Sequence, residues 1–362
     1  MEVVEQVQQE QPQVVQQLQT QSQQDKEIEA SFPKAKIMVI GVGGAGNNTI
    51  NRLNDLGITG ANTVAVNTDA KHLSMIGAQK KILIGKNTTK GLGAGGYPEV
   101  GMKAALESRN ELKSLLDGVD LVFLTCGLGG GTGTGASHVI GRFAKECGAI
   151  VIATVTLPFK LEGARITKAE EGLSDLREAC DTVIVIENQK LLDFAGKMPL
   201  KKAFAVADDL IATMIKGITE TISEPSLVNL DYADVKAIMR SGGVAAIGIG
   251  KSDSDNRAMD AVTKALNHPL IEVDYVGATG ALVQVIGGED MKLDEIEQIG
   301  EQVSKNMSPQ ATVMWGARIV PGFEGIQVIT IITGVKSPYI LGPSAKKVSK
   351  TGKTNELGID IV

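Results

Sequence analysis

The sequence predicts an α/β protein built on a parallel sheet, with one long helix in mid-chain and a smaller α/β region after it. Three observations carry this. Three apolar runs each lead into a glycine-rich turn and then a helical pattern, the longest helical pattern (residues 199–223) follows them, and beyond it strand and helix patterns alternate again. Apolar runs separated by helical periodicity are the mark of β-α-β units, whose turns gather at the carboxyl edge of a parallel sheet.

A chain of 362 residues is long enough for about two domains. A net charge of −6, with no long Lys/Arg cluster, argues against a nucleic-acid binder. Cys126, Cys147 and Cys180 are odd in number and irregularly spaced, which fits a reducing compartment better than a disulfide framework. His72, His138 and His268 lack metal-ligand spacing, so no protein metal site is expected. No apolar run reaches the ~18 residues of a membrane span and no signal pattern opens the chain, so a cytoplasmic protein without direct membrane insertion is expected.

Residues 1–24 contain eleven glutamines and no apolar face, and are expected to be a disordered arm or a frayed helix. The first buried strand begins at Lys36 and runs into G-x-G-x-x-G at Gly41, Gly43 and Gly46, followed by a helix over 47–56. The next strand, 63–67, ends at Asn67-Thr68-Asp69, near where a dinucleotide-binding enzyme places an acid for the ribose. A nicotinamide dehydrogenase and a nucleoside triphosphatase are both compatible with this much.

The second and third glycine turns separate the two classes. After a strand at 81–84 come Gly91, Gly93, Gly95 and Gly96, with Pro98 at a helix start. The run 119–135 then breaks into Gly127, Gly129, Gly130, Gly131, Gly133 and Gly135 before a helix over 136–147. Helix N-termini with unpaired N–H groups hold phosphates, and the macrodipole favours negative charge there by roughly 0.3–1 kcal/mol. Three such turns at one sheet edge suit three phosphates, whereas a dehydrogenase has one phosphate loop. No lysine-based P-loop motif occurs.

Strands at 149–156 and 181–187 enclose a helix at 165–180. Asn188, after the second of these strands, is placed either to read a base edge or to cap the next helix. On the long helix, Phe204 and Asp208 share a face at i, i+4. Together they suit a purine, guanine especially, whose N1 and N2 are donors; the alternative is a core phenylalanine and an exposed aspartate. Asp231 and Asp234 open a further helix, where carboxylates either complement the dipole or orient a water and accept its proton. The rest, through residue 333, alternates strand and helix without a catalytic cluster. From 337 the chain turns lysine-rich and polar before a short apolar ending at 357–362, a partner hook or a frayed end.

Residues 129–135 resemble the tubulin/FtsZ signature, and companion motifs recur in order: 41–48, Asn67-Thr68-Asp69, 91–101, Pro158-Phe159 with Glu162-Gly163, Asn188, Phe204 with Asp208, and Asn229 through Asp234. The resemblance covers about residues 34–342, and the ending is more similar to archaeal FtsZ members than to the bacterial tail.

The resemblance implies a Rossmann-like parallel-sheet GTP-binding domain (34–198), a central helix and catalytic loop (199–230) and a smaller α/β C-terminal domain (231–340). These are flanked by a disordered Gln-rich arm (1–33) and a flexible linker with a tail peptide (341–362). It implies a GTPase that polymerises head to tail with itself at the division site, with regulators or a membrane adaptor as partners of the tail. By the same resemblance Gly44, Ala45, Gly46, Asn47, Asn48, Asp69, Gly131, Thr132, Gly133, Thr134 and Gly135 hold GTP or GDP, with Gly93, Ala94, Gly95 and Gly96 near the γ-phosphate. Glu162 and Arg165 reach the ribose and phosphate side, Asn188, Phe204 and Asp208 bind guanine, and Mg²⁺ is held mainly through the phosphates. Asn229, Asp231 and Asp234 act on the nucleotide of the adjacent subunit. Gly96-Tyr97 departs from the family's usual Ala-Asn before Pro98, and the segment after Glu162 is shorter than the common pattern. The competing expectation is an NAD(P)-dependent Rossmann oxidoreductase, which rests on residues 41–46 and 67–69.

Overall fold

The computed structural model describes residues 35–224, 226–228, 230, 232–240, 243–267 and 275–335. The Gln-rich arm, the linker and tail peptide, Asn229 and Asp231 lie outside the described residues. The chain divides into two units, Met1–Ala35 and Lys36–Val362, and the elements below belong to the second.

Strands β1 (Ile37–Val42) and β4 (Leu121–Gly127) are near-continuous apolar runs, buried throughout β1 and in all but the last residue of β4. Such runs need cover on both sheet faces, as parallel strands have. They lie in the middle of a parallel array with β2 (Ala61–Asn67), β3 (Lys80–Leu83), β5 (Ile150–Leu157) and β6 (Thr182–Glu187), in the order β3-β2-β1-β4-β5-β6. This order reverses between β1 and β4, so the connections leaving their carboxyl ends part and open a crevice. Helix α1 (Gly43–Asp55) leaves β1; α2 (Ala70–Ser74) follows β2; α3 (Lys86–Thr89), α4 (Pro98–Glu107) and α5 (Arg109–Leu116) lie between β3 and β4. Helix α6 (Thr132–Glu146) leaves β4, a 3₁₀ turn (Lys160–Glu162) and α7 (Ala164–Ala179) follow β5, and α8 (Asn188–Ala195) follows β6.

Two helices begin earlier than the sequence predicts, inside their glycine turns. Glycine is a poor helix former, so propensity places the starts late, at 47 and 136. Contact overrides propensity here. A Cβ on Gly46 would lie 2.1 Å from Thr125 O, one on Gly133 2.5 Å from Gly127 O, and one on Gly135 1.8 Å from Pro98 O. The glycines let helices press against backbone.

Helix α9 (Leu200–Ser223) buries Ala207, Leu210, Ile211, Met214, Ile215 and Ile218 along one stripe. At 24 residues it is about 36 Å long. It runs from α1, where Arg52 pairs with Asp209, to β9 (Thr312–Ile319), where Arg318 meets Glu220 at 2.5 Å and Glu224 at 2.6 Å. Helix α10 (Tyr232–Arg240) then returns to the sheet. Strand β7 (Gly243–Ser252) pairs with β6 in parallel over three residues, and β10 (Ile326–Thr333), β8 (Gly280–Gly287) and β9 extend the sheet, with α11 (Arg257–Leu266) and α12 (Leu293–Ser304) packed on it. Among the described residues one apolar cluster lies within residues 38–183 and another within residues 246–335.

Gly135→Ala is expected to destabilise the protein by at least ~2 kcal/mol, because its methyl would overlap the Pro98 carbonyl, whereas Gly130→Ala in the same turn meets open space and leaves stability unchanged. Denaturant midpoints of the two variants, which would coincide if the close approach were not required, check this.

Candidate functional site

The crevice between β1 and β4 is framed by two helix starts without caps. The residue before α1 is Val42 and that before α6 is Gly131; neither gives a side-chain cap, and neither helix has an acid in its first turn. Each therefore presents unsatisfied N–H groups and the positive end of its dipole. The two ends touch: Gly43, at φ +72°, leaves its Cβ position 2.9 Å from Gly133 N, a place where only glycine fits. Thr134 Oγ1 accepts from Gly129 N at 2.9 Å, which curls the turn in front of α6. The arrangement can bind a polyanion by backbone alone.

The second glycine turn, at 91–96, folds over the start of α6. A Cβ on Gly131 would lie 2.8 Å from Ala94 Cβ and 2.9 Å from Tyr97 N, and Gly93 N donates to Thr68 O at 3.1 Å. Thr68 and Thr132 share a hydroxyl–hydroxyl hydrogen bond of 2.6 Å. Gly93, Ala94, Gly95 and Gly96 are thus brought beside Gly131 and Thr132, as the spacing predicts.

Beside the phosphate-type end lies a cavity of about 780 Å³, lined by Gly44, Ala45, Asn48, Asn188, Phe204 and Asp208 among others. Phe204 is 39% exposed, lines the cavity and packs against Phe159 in a T-shaped pair, ring centres 5.7 Å apart. Asp208 accepts from Thr49 Oγ1 at 3.1 Å. Burial pushes its carboxyl up to about 6; Asp209 adds to the rise, while the Thr49 bond and Arg52 oppose it. The bland alternative is reversed: the phenylalanine is the exposed member and the aspartate the half-buried one. Asn188 is the first residue of α8, after Glu187 in the cap position, and does not cap. Its Oδ1 is buried without a hydrogen-bond partner while its side chain lines the cavity, an arrangement that suits a ligand donor.

Other expected site residues stand elsewhere. Asn47 is fully buried, donates through Nδ2 to Val66 O and leaves its Oδ1 without a hydrogen-bond partner; it is not among the cavity's lining residues. Asp69 caps α2 by accepting from His72 N at 2.9 Å and is bridged to Leu92, which ties it to the turn at 91–96. Glu162 accepts from Phe159 N at 2.9 Å and from Arg165 Nη1 at 2.7 Å. The backbone of Arg165 backs Gly129, and its side chain is 59% exposed. Neither Glu162 nor Arg165 lines the 780 Å³ cavity. Thr49, Asn51, Arg52, His72, Thr156 and Asp209 line or brace it and were not expected from sequence. Thr49 had a signal, one helical turn after Ala45.

Asp234 lies in the first turn of α10 and is half-buried. That helix is anchored by Tyr232 Oη donating to Asp120 O at 3.0 Å and by Thr182 Oγ1 donating to Met239 O at 2.9 Å. Asp120 precedes β4 and Thr182 opens β6, so α10 sits at the amino edge of the parallel array, opposite the carboxyl edge where the glycine turns lie. A seven-residue strand such as β4 puts roughly 23 Å between the two edges.

Comparison with known proteins gives a consistent result. The family model described as Tubulin/FtsZ family, GTPase domain, matches residues 36–196, and that of the FtsZ family, C-terminal domain, matches residues 243–336. The chain is 55% identical over 333 residues to cell division protein FtsZ 2 of Methanocaldococcus jannaschii, covering 89% of this chain and 88% of that protein. It is 50% identical over 363 residues to cell division protein FtsZ 1 of Pyrococcus horikoshii, covering 99% and 97% respectively. A solved empty FtsZ dimer from M. jannaschii superposes with a TM-score of 0.81 at 51% identity, covering 86% of this chain and 92% of that one.

The raised carboxyl of Asp208 makes a prediction independent of any ligand. The unfolded chain holds this group near 3.8 and the fold near 6, so stability falls as pH rises through that window, and the charged form costs on the order of 2 kcal/mol at pH 7. Asp208→Asn is therefore expected to raise the thermal midpoint at pH 7, with the gain vanishing by about pH 4. A lower midpoint at pH 7 contradicts the assignment.

Proposed function

This chain belongs to the tubulin/FtsZ family, and from that premise we propose how its geometry carries out the family's activity. It is a cell-division GTPase of the archaeal FtsZ kind, and GTP and GDP are its nucleotides. The phosphates lie on the uncapped starts of α1 and α6, with Gly93, Ala94, Gly95 and Gly96 closing over the terminal one. Guanine stacks on Phe204. Its N1–H and N2–H donate to the Asp208 carboxylate, and Asn188 Oδ1 takes a further donor. Mg²⁺ would be held mainly through the phosphate oxygens of the nucleotide, where it would offset their charge.

One observation carries the rest of the reading: α10, with Asp234, stands across the length of the sheet from the glycine turns. No side chain reaches ~23 Å, so the carboxylates serve a different copy's nucleotide. A head-to-tail contact that sets α10 of one subunit on the turns of the next does so without closing a ring, which yields a filament. Asn229, Asp231 and Asp234 then orient a water in line with the terminal phosphate; the aspartate carboxylates accept its proton as the water oxygen bonds to phosphorus, the bond to the β-phosphate oxygen breaks and GDP is left. GTP stays intact until the next subunit arrives.

The two apolar clusters, joined by α9, support a GTP-binding domain over 34–198, a central helix and catalytic loop over 199–230, and a C-terminal domain over 231–340. Among the described residues no helix is long and apolar enough to cross a membrane, and residues 341–362 are the proposed docking segment for regulators or a membrane adaptor at the division site. The order β3-β2-β1-β4-β5-β6 is shared with dinucleotide-binding enzymes, but no comparison supports an oxidoreductase.

GTP turnover per subunit is expected to rise with protein concentration, and Asp231→Ala to keep GTP affinity within about twofold while abolishing turnover. Phosphate release measured across a concentration series tests both. A flat series, or wild-type turnover in the variant, overturns the shared site.

A further inference from the structure

The loop at 91–97 is built so that little of its own fixes it. Gly91, Gly93, Gly95 and Gly96 all have positive φ, and a Cβ on Gly96 would meet nothing within 4 Å. Backbone bonds hold its start, Leu92 N to Thr89 O at 3.0 Å and Gly93 N to Thr68 O at 3.1 Å. Its second half is held from outside. Lys168, on α7, donates through Nζ to Gly96 O at 2.8 Å and lies 5.3 Å above the centre of the Tyr97 ring. The Gly96–Tyr97 peptide is thereby engaged at both poles, since Tyr97 N donates to Ala94 O at 3.0 Å. The N–H groups of Ala94, Gly95 and Gly96 have no acceptor among the described residues and remain available to an anion.

We propose that Lys168 is a positioning residue that holds the loop at 91–97 in its phosphate-receiving conformation and so sets the preference for a nucleoside triphosphate over a diphosphate. The proposal rests on the functional reading above, in which this loop meets the terminal phosphate. An ammonium-to-carbonyl bond is charge-assisted, and the Tyr97 ring adds cation–π attraction on the same nitrogen. No carboxylate among the described residues pairs with Lys168, so its charge also favours an anion beside the loop. The rest of α7 makes it a firm mount: Arg165 backs Gly129, and Gly172 packs on Thr134, where a Cβ would lie 2.4 Å from Thr134 Cγ2. One helix thus touches all the turns after β4 and the end of the loop after β3. A diphosphate ends short of that loop and does not depend on it.

The test is equilibrium binding of GDP and of a slowly hydrolysed GTP analogue to the full chain below its assembly concentration, in wild type, Lys168→Met and Lys168→Arg. Lys168→Met is expected to weaken the analogue about tenfold and GDP less than about twofold, and Lys168→Arg to restore most of the analogue's affinity. Tyr97→Ala, at an exposed position, shifts the analogue in the same direction by a smaller factor. An equal loss for both nucleotides, or unchanged binding of the analogue, overturns the positioning role. A wild-type chain that binds neither nucleotide overturns the functional reading instead, so the two failures are distinct.

Discussion

The length of the parallel strands is the constraint from which the rest follows. Strands β1, β3 and β4 carry the glycine turns at their carboxyl ends, α10 is seated at the amino ends of β4 and β6, and the seven extended residues of β4 lie between. A carboxylate on α10 and a phosphate on the turns can meet only if two chains meet. In the reading proposed above, hydrolysis and assembly are one event, and the long helix α9 joins the parts. It braces α1 through Thr49, Arg52 and backbone carbonyls at Leu56 and Gly57, and reaches β9 through Glu220 and Glu224.

Glycine in this protein serves proximity more than flexibility. Gly46, Gly133 and Gly135 sit inside helices, where they cost helix propensity, and each lies where a methyl would overlap a carbonyl oxygen. The gain is that two helix starts and a third turn occupy the space of a few side chains. The dipoles of α1 and α6 then act at one point, without an acidic side chain to neutralise them.

Much of this was legible in the chain. Fully apolar strands and glycine turns set the parallel sheet and its glycine-rich edge, and the i, i+4 pair Phe204 and Asp208 marked one wall of the cavity. What was not legible depends on contacts between distant segments. Helix starts were placed four residues late because close backbone packing is invisible to propensity. Asn188 reads locally as a cap, yet Glu187 holds that position and the amide is left unpartnered in the cavity. Asn47 falls in a motif that suggests a ligand contact, and the fold adds a bond from its Nδ2 to Val66 O, nineteen residues away. Lys168 is one charge on an exposed-looking helix until the fold sets it on Gly96, seventy-two residues earlier.

The most direct test of the account is complementation between two inactive chains. One carries Asp231→Ala, with its own nucleotide cavity intact; the other carries Asp208→Ala, with its α10 end intact. Mixed at assembly concentration, with sedimentation verifying that both chains enter the pellet, they place an intact cavity against an intact acidic end at roughly one interface in four. The account predicts that GTP turnover, absent from each chain alone, returns to a comparable fraction of the wild-type rate. Co-assembly without any recovered turnover would contradict a site completed by the neighbouring subunit.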